Sequence, residues 1–137
     1  MSNDSEPTRV PFIELIGACV EERSEGYGRL SLVIEQRHTN PHGMAHGGVA
    51  TTLMDSAAAM ALSGLKRARG RAAAAHATVE MNASLIAPAR PGDELVVEGR
   101  VLRMGRSVAF VEAEVRRRSD DELIAKGRFT FAIRDRE

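Results

Sequence analysis

Two hydrophobic patterns divide the chain. From Val49 to Leu65 the residues are Ala, Leu, Met, Val, Thr, Ser and one Gly, with Asp55 the sole ionisable side chain. These residues favour a helix and give it no charged face, so the segment is expected to be a helix buried nearly all round. Beyond it, four segments alternate with strand period. In the first, Thr78-Glu80-Asn82-Ser84 is set against Val79-Met81-Ala83-Leu85, and Pro88 with Pro91-Gly92-Asp93 ends it. Leu95 to Leu102 is the second, and a turn at Met104-Gly105-Arg106 leads to the third, Ala109-Val111-Ala113-Val115 opposite Glu112-Glu114-Arg116. After a charged turn, Arg117 to Asp121, the last sets Leu123-Ala125-Gly127-Phe129-Phe131-Ile133 against Lys126-Arg128-Thr130. Ahead of the long helix, Pro11 to Ile16 reads as a short helix with Pro in its first turn. Ala18 to Glu22 and Arg29 to Glu35 read as a hairpin about Glu25-Gly26-Tyr27-Gly28.

An apolar face repeated through consecutive strands needs something apolar beneath it, and the Val49 helix is the only long apolar element available. The expected order is helix, two strands, long helix, four strands, an α+β class with an antiparallel sheet over a central helix. Unpaired edges of such a sheet favour association, so a dimer or tetramer is expected. Lys66 to Arg71 is expected to be a solvated, cationic helix end, with Ala72 to Ala75 as a possible extension of the helix.

Length and charge narrow the class further. The 137 residues suit one domain, with residues 1–10 a polar, flexible N-terminal segment and 11–137 the folded part. Lys plus Arg and Asp plus Glu both number 19, and with no Trp and one Tyr the chain lacks both the charge and the stacking surface that nucleic-acid binding uses. The first ten residues have no basic or apolar leader pattern, and Val49 to Leu65 is shorter and more polar than the roughly 20 apolar residues of a membrane span, so a soluble, cytoplasmic protein is expected. The single Cys19 forms no internal disulfide and reads as a buried, inert thiol.

The candidate chemistry sits at the start of the long helix. An ionised Asp inside an apolar helix must be paired, solvated by a cleft or used. Pro41 and Gly43 break earlier structure, and Gly47-Gly48 enter the helix with their N–H groups at its positive end, suited to polarise a carbonyl oxygen. At about 1.5 Å per residue, Asp55 lies on the order of 11 Å beyond Gly48. One reacting atom touches both only if a bound group spans the gap or a second chain supplies one part. His38, His42 and His46 are spaced by four, but the intervening Pro41, Gly43 and Gly47 preclude a helical metal face, and no metal is expected. His38 and His42 read as solvated loop residues.

Asn40, Gly43, His46-Gly47-Gly48 and Asp55, nine residues after His46, resemble the signature of hotdog-fold acyl-CoA thioesterases of the phenylacetic-acid-degradation (PaaI) type. The resemblance runs from about Pro11 to Ile133. It implies a curved antiparallel sheet wrapped around the long helix, and subunits paired across active sites to which one contributes the acidic residue and the other the His-Gly-Gly turn. It also implies that Asn40 orients water or substrate, that His46 contacts the thioester region, and that Thr78 supplies a helping hydroxyl. Arg106 and Ser107 fall where CoA contacts occur in the family. A related thioesterase branch uses a hydroxyl one turn after the acid, where this chain has Ala59.

The expected reaction is hydrolysis of an acyl-CoA thioester, with no cofactor beyond the CoA of the substrate. Asp55 acts as general base or nucleophile, and the Gly47 N–H, with that of Gly48, holds the carbonyl oxygen. Met54, Met60 and Met81 suggest an adaptable apolar pocket for the acyl group. Two other classes stand beside this one: a hotdog hydratase or dehydratase, which wants an acid/base His facing the carboxylate, and a non-catalytic module binding acyl-CoA or acyl carrier protein.

Overall fold

The structure, a computed structural model, describes residues 9–136. The elements are α1 (Pro11–Ile16), β1 (Cys19–Ser24), β2 (Tyr27–Val33), a 3-10 turn (Gln36–His38), α2 (Gly47–Ala68), β3 (Ala75–Leu85), β4 (Glu94–Met104), β5 (Val108–Arg117) and β6 (Leu123–Arg134). The six strands form one sheet in the order β1-β2-β4-β5-β6-β3, and every neighbouring pair is antiparallel. The sheet curves around α2, which is the hotdog architecture. The element order matches the expectation from the sequence. The expected flexible segment, residues 1–10, lies mostly outside the described residues.

The core forms where the two periodicities meet. On α2 the residues Ala50, Leu53, Met54, Ala57, Ala58, Ala61, Leu62 and Leu65 are buried, the i, i+3, i+4 stripe of a helix lying on a sheet. Against it stand the alternate residues of the strands, among them Leu30, Val97, Val111, Val115, Phe129 and Phe131, none more than 1% exposed. Helix and sheet approach closely because Gly28 of β2 and Gly99 of β4 are cross-strand partners directly beneath Ala57. A Cβ on Gly99 would lie 2.5 Å from the Ala57 carbonyl oxygen, and one on Gly28 would lie 2.9 Å from it. No side chain fits in either place.

Several expectations are corrected. The helix is not buried all round in the single chain. Thr52, Asp55, Ser56, Ala59, Met60 and Ser63 form a half-buried stripe that its own sheet does not cover. Ala72 to Ala75 does not extend α2. The helix ends at Ala68, Gly70 turns the chain at φ +74°, and β3 begins at Ala75. Cys19 is exposed, because β1 is an edge strand and it is the neighbouring Ala18 that packs on the core. His38 is buried rather than solvated. The 3-10 turn tucks its ring inward, where Nδ1 accepts from the Glu35 N–H at 2.8 Å and Nε2 donates to the Ile16 carbonyl at 2.7 Å. Lys66 is 4% exposed rather than part of a solvated helix end.

Candidate active site

Asp55 is half-buried on the uncovered stripe of α2, two turns into the helix. Its Oδ1 accepts a 2.6 Å hydrogen bond from Thr78 Oγ1 on β3. This bond orients the carboxylate and leaves its other oxygen free for a second proton donor. The pairing links two residues singled out in the sequence, and it forms within one chain. Thr78 faces α2 in step with His76 two residues earlier on β3, and a bulge between Thr78 and Glu80 resets the alternation just after it.

The cleft in front of Asp55 has a volume of about 550 Å³ and is walled by Ile13, Leu30, Ala59 and Met60. His76, not singled out in the sequence, also lines it. His76 and Thr78 are two apart on β3 and therefore face the same side. The His76 ring stands edge-on to Phe131 and its Nδ1 lies 2.7 Å from Lys66 Nζ. Lys66 Nζ also donates to the Ala74 carbonyl. Burial first, and the Lys66 charge second, push the His76 pKa down to about 4. Burial, then Arg71 and Arg136, lower that of Lys66 as well. The only sequence signal for this pair was a charged residue still in phase with the buried stripe of α2, since Lys66 follows Leu62 by four.

A second cleft, of about 390 Å³, lies at the N-terminus of α2 and is lined by Asn40, Met44, His46, Gly47, Leu85 and Ile86 among others. Here the backbone is prepared in detail. Asn40 Oδ1 accepts from the N–H groups of His42 (2.9 Å) and Met44 (3.2 Å), and Gly43 turns the loop at φ +78°. The Asn40 carboxamide oxygen is thus occupied by its own loop, leaving its amide nitrogen to face a ligand. His46 is the N-cap of α2, and its Nδ1 accepts from the Gly48 N–H at 2.9 Å. His46 N–H donates to the His38 carbonyl and Val49 N–H to that of His46. Among the described residues, only Gly47 in this turn keeps a backbone N–H without an acceptor. A Cβ on Gly47 would come 2.5 Å from Leu85 Cδ1, so glycine keeps the mouth of this cleft open.

The structure therefore separates the sequence-derived site into two groups. Asn40, His46 and Gly47 share one cleft, whereas Asp55 and Thr78 meet in the other. Two assignments are corrected. Gly48 cannot offer its N–H to a carbonyl, because His46 already takes it. Met54 is fully buried in the core and lines neither cleft, while Met60 does line the Asp55 cleft. Arg106 and Ser107 are exposed on the β4–β5 turn and line neither cleft, with Arg106 lying 3.9 Å from Asp135. Among the described residues no group of His, Cys, Asp or Glu is placed to hold a metal ion, and no helix is long and apolar enough to cross a membrane.

A sheet of six antiparallel strands wrapped on one long helix defines a hotdog protein, here with a carboxylate on that helix and a glycine N–H free at its start. The chain belongs to the thioesterase superfamily, whose family model matches residues 42–124. It is 36% identical over 97 residues to mouse acyl-coenzyme A thioesterase 13, an alignment covering 71% of this chain and 66% of that relative. It thus spans just under two thirds of the relative's length. A conserved protein of Pseudomonas aeruginosa has a similar structure at a TM-score of 0.84 and 31% identity, covering 95% of this chain and 98% of that one. A variant of the phenylacetic acid degradation protein PaaI from Thermus thermophilus superposes with a TM-score of 0.80 at 24% identity, covering 90% and 98%. That likeness is one of fold, and it is the fold that the resemblance of Asn40, His46-Gly47-Gly48 and Asp55 implies.

Proposed function

We propose that this protein hydrolyses an acyl-CoA thioester to the free acid and CoA. The observation that carries the reading is the pairing of Asp55 with Thr78 at 2.6 Å in an apolar cleft, together with a Gly47 N–H free at the N-terminus of the same helix. Asp55, aimed by Thr78, takes a proton from water or attacks the carbonyl itself. The Gly47 N–H, at the positive helix end, receives the negative charge that grows on the carbonyl oxygen. The thiolate leaves without strong protonation, so one carboxylate and one oxyanion donor are a sufficient set. Asn40, through its amide nitrogen, and His46, exposed at the cleft mouth, orient the thioester.

The separation of the two groups calls for a second chain, so that Asp55 of one subunit faces Gly47 of another. The support for association is β3, an edge strand that leaves Val79, Met81 and Leu85 more than half exposed, an unusual amount of apolar surface for an unpaired edge. The working assembly in this reading is a homodimer or a homotetramer of such dimers, acting in the cytoplasm with no cofactor.

The histidine that shares the Asp55 cleft within the chain is His76, and with its pKa held to about 4 it stays neutral near pH 7 and carries no extra proton to give as the general acid of a dehydration. The test is thiol release from a panel of short, medium, branched and aryl-acetyl CoA esters. Asp55→Asn, which keeps an oxygen to accept from Thr78, should fold normally and lose turnover at least about a hundredfold. Wild-type turnover in that variant would sink the assignment of Asp55, and silence of the wild-type protein across the panel would sink the thioesterase.

A further inference from the structure

The Asp55 cleft carries unmatched positive charge and donors beyond Asp55, where Ser24 of β1 lies against Gly64 of α2. Arg23 lines it from β1, and its side chain makes no ion pair or hydrogen bond among the described residues, whereas the other arginine there, Arg9, is paired with Glu14 at 2.6 Å. Burial, and the charge of Arg67, make the Arg23 guanidinium harder to keep ionised. An anion brought beside it relieves both penalties.

His76 adds a donor whose direction is determined by Lys66. A lysine ammonium has hydrogens to give and no lone pair to offer, so His76 Nδ1, 2.7 Å from Nζ, is the acceptor and the ring proton sits on Nε2. Nε2 has no hydrogen-bond partner and is not buried, and the ring lines the cleft. The Ser63 hydroxyl stands on the same stretch of α2 and lines the same cleft. On α2, Ala59 and Met60 lie between Asp55 and Ser63, and with Leu30 they line the same cleft. Ser63 follows Asp55 by eight residues, a rise of about 12 Å, the length of a straight chain of roughly eight to ten carbons.

A reacting carbonyl at one end, an apolar stem and an anion at the other describe one ligand class. We infer that the preferred acyl group is a medium-chain dicarboxylic one, whose distal carboxylate is received by Arg23, Ser63 and the His76 Nε2–H. The inference rests on the thioesterase reading and names its substrate class. A hydrocarbon tail of the same length would leave the guanidinium and the imidazole N–H desolvated and unpaired, which disfavours it.

The test compares suberyl-CoA with octanoyl-CoA, esters of equal length that differ in the distal carboxylate, on the same preparation of the whole protein. The wild type should favour suberyl-CoA about tenfold or more in kcat/KM, chiefly through KM, because the contact is made equally in ground and transition states. Arg23→Gln should collapse that ratio, and using the ratio cancels any loss of folded enzyme. In a second measurement, 15N-detected imidazole spectra should place the His76 proton on Nε2, and suberate should move that resonance where octanoate does not. Equal hydrolysis of the two esters by the wild type, or an unchanged ratio in Arg23→Gln, overturns the dicarboxylate inference and leaves the thioesterase standing. Hydrolysis of neither ester nor any of the panel overturns both.

Discussion

Replacing Gly47 by proline would remove its N–H and add ring carbons at the mouth of the cleft. The Gly47 N–H is the one in its turn without an acceptor, so no hydrogen bond within the chain is lost. Proline suits the first position of a helix, and the residue before it must be extended, as His46 already is at φ −63° and ψ 138°. The added ring carbon meets Leu85 Cδ1, at 2.5 Å from the Cβ position, but Leu85 is exposed and free to turn away. Stability should therefore change by no more than about 1 kcal/mol, whereas loss of an oxyanion donor should lower kcat by about 10²–10³. Leu85→Ala in the same background relieves the contact and should not restore activity, which separates the missing N–H from crowding of the cleft. The decisive assay joins this variant with Asp55→Asn. In a co-expressed heterodimer selected by two different tags, one site carries both defects and the other carries neither, if Asp55 and Gly47 come from different chains. Such a heterodimer should recover about half the wild-type turnover per dimer. If each site were built from a single chain, both sites of the heterodimer would be defective. A heterodimer as inactive as its parents would refute the shared site.

Three further outcomes follow from the same geometry. Thr78→Val keeps the shape of the side chain but removes the 2.6 Å bond to Asp55, and should lower kcat about tenfold with the fold intact by circular dichroism, while Thr78→Ser should retain most activity. Gly99→Ala drives a Cβ to 2.5 Å from the Ala57 carbonyl, where backbone cannot yield, and should cost about 1–3 kcal/mol in urea unfolding, with a lowered Tm. His76 should give acid sensitivity in a defined window. Its pKa is about 4 in the folded protein against 6.5 for a free histidine, so the unfolded chain binds the extra proton and stability is lost as pH falls from 6.5 toward 4. The facing charge, Lys66, opposes protonation. The depressed carboxylates Glu21 and Glu114 hold their contribution until pH falls below about 4.5, so the interval above that isolates the histidine. Because the ring is partly open to the cleft, the loss should be about 1–2 kcal/mol, and a His76→Phe variant with a flat profile between pH 7 and 5 is the control.

What the sequence revealed depended on periodicity and on local chemistry. The strand pattern of β4, β5 and β6 places Val97, Val111 and Phe129 inside, and they are inside, since central strands have one face on the helix and no choice of register. At the edges the same pattern misleads. On β3 the apolar Val79, Met81 and Leu85 are exposed, and on β1 so is Cys19, because an edge strand extends past the helix that would cover it. Asp55 and Gly47 were legible as a charge in an apolar run and a glycine at a helix start. Their distribution between two clefts was also implied by helix rise alone.

His76, Lys66 and Arg23 were not legible, because each is ordinary in its own segment. A lysine at a helix end reads as solvated until the chain doubles back and lays Ala74 and His76 over it. An arginine in a strand reads as surface until its neighbours fail to pair it. What singles these residues out is an imbalance of donors over acceptors within one cleft, a property of three dimensions that spacing does not record. Asp55 is engaged by Thr78 and lies about 12 Å along the helix from Ser63. A neutral hydrocarbon in the cleft would leave the imbalance in place, and water would satisfy it only while the cleft stayed open. The charge asymmetry of the cleft thus argues for a ligand with an anion at the end opposite its reacting carbonyl.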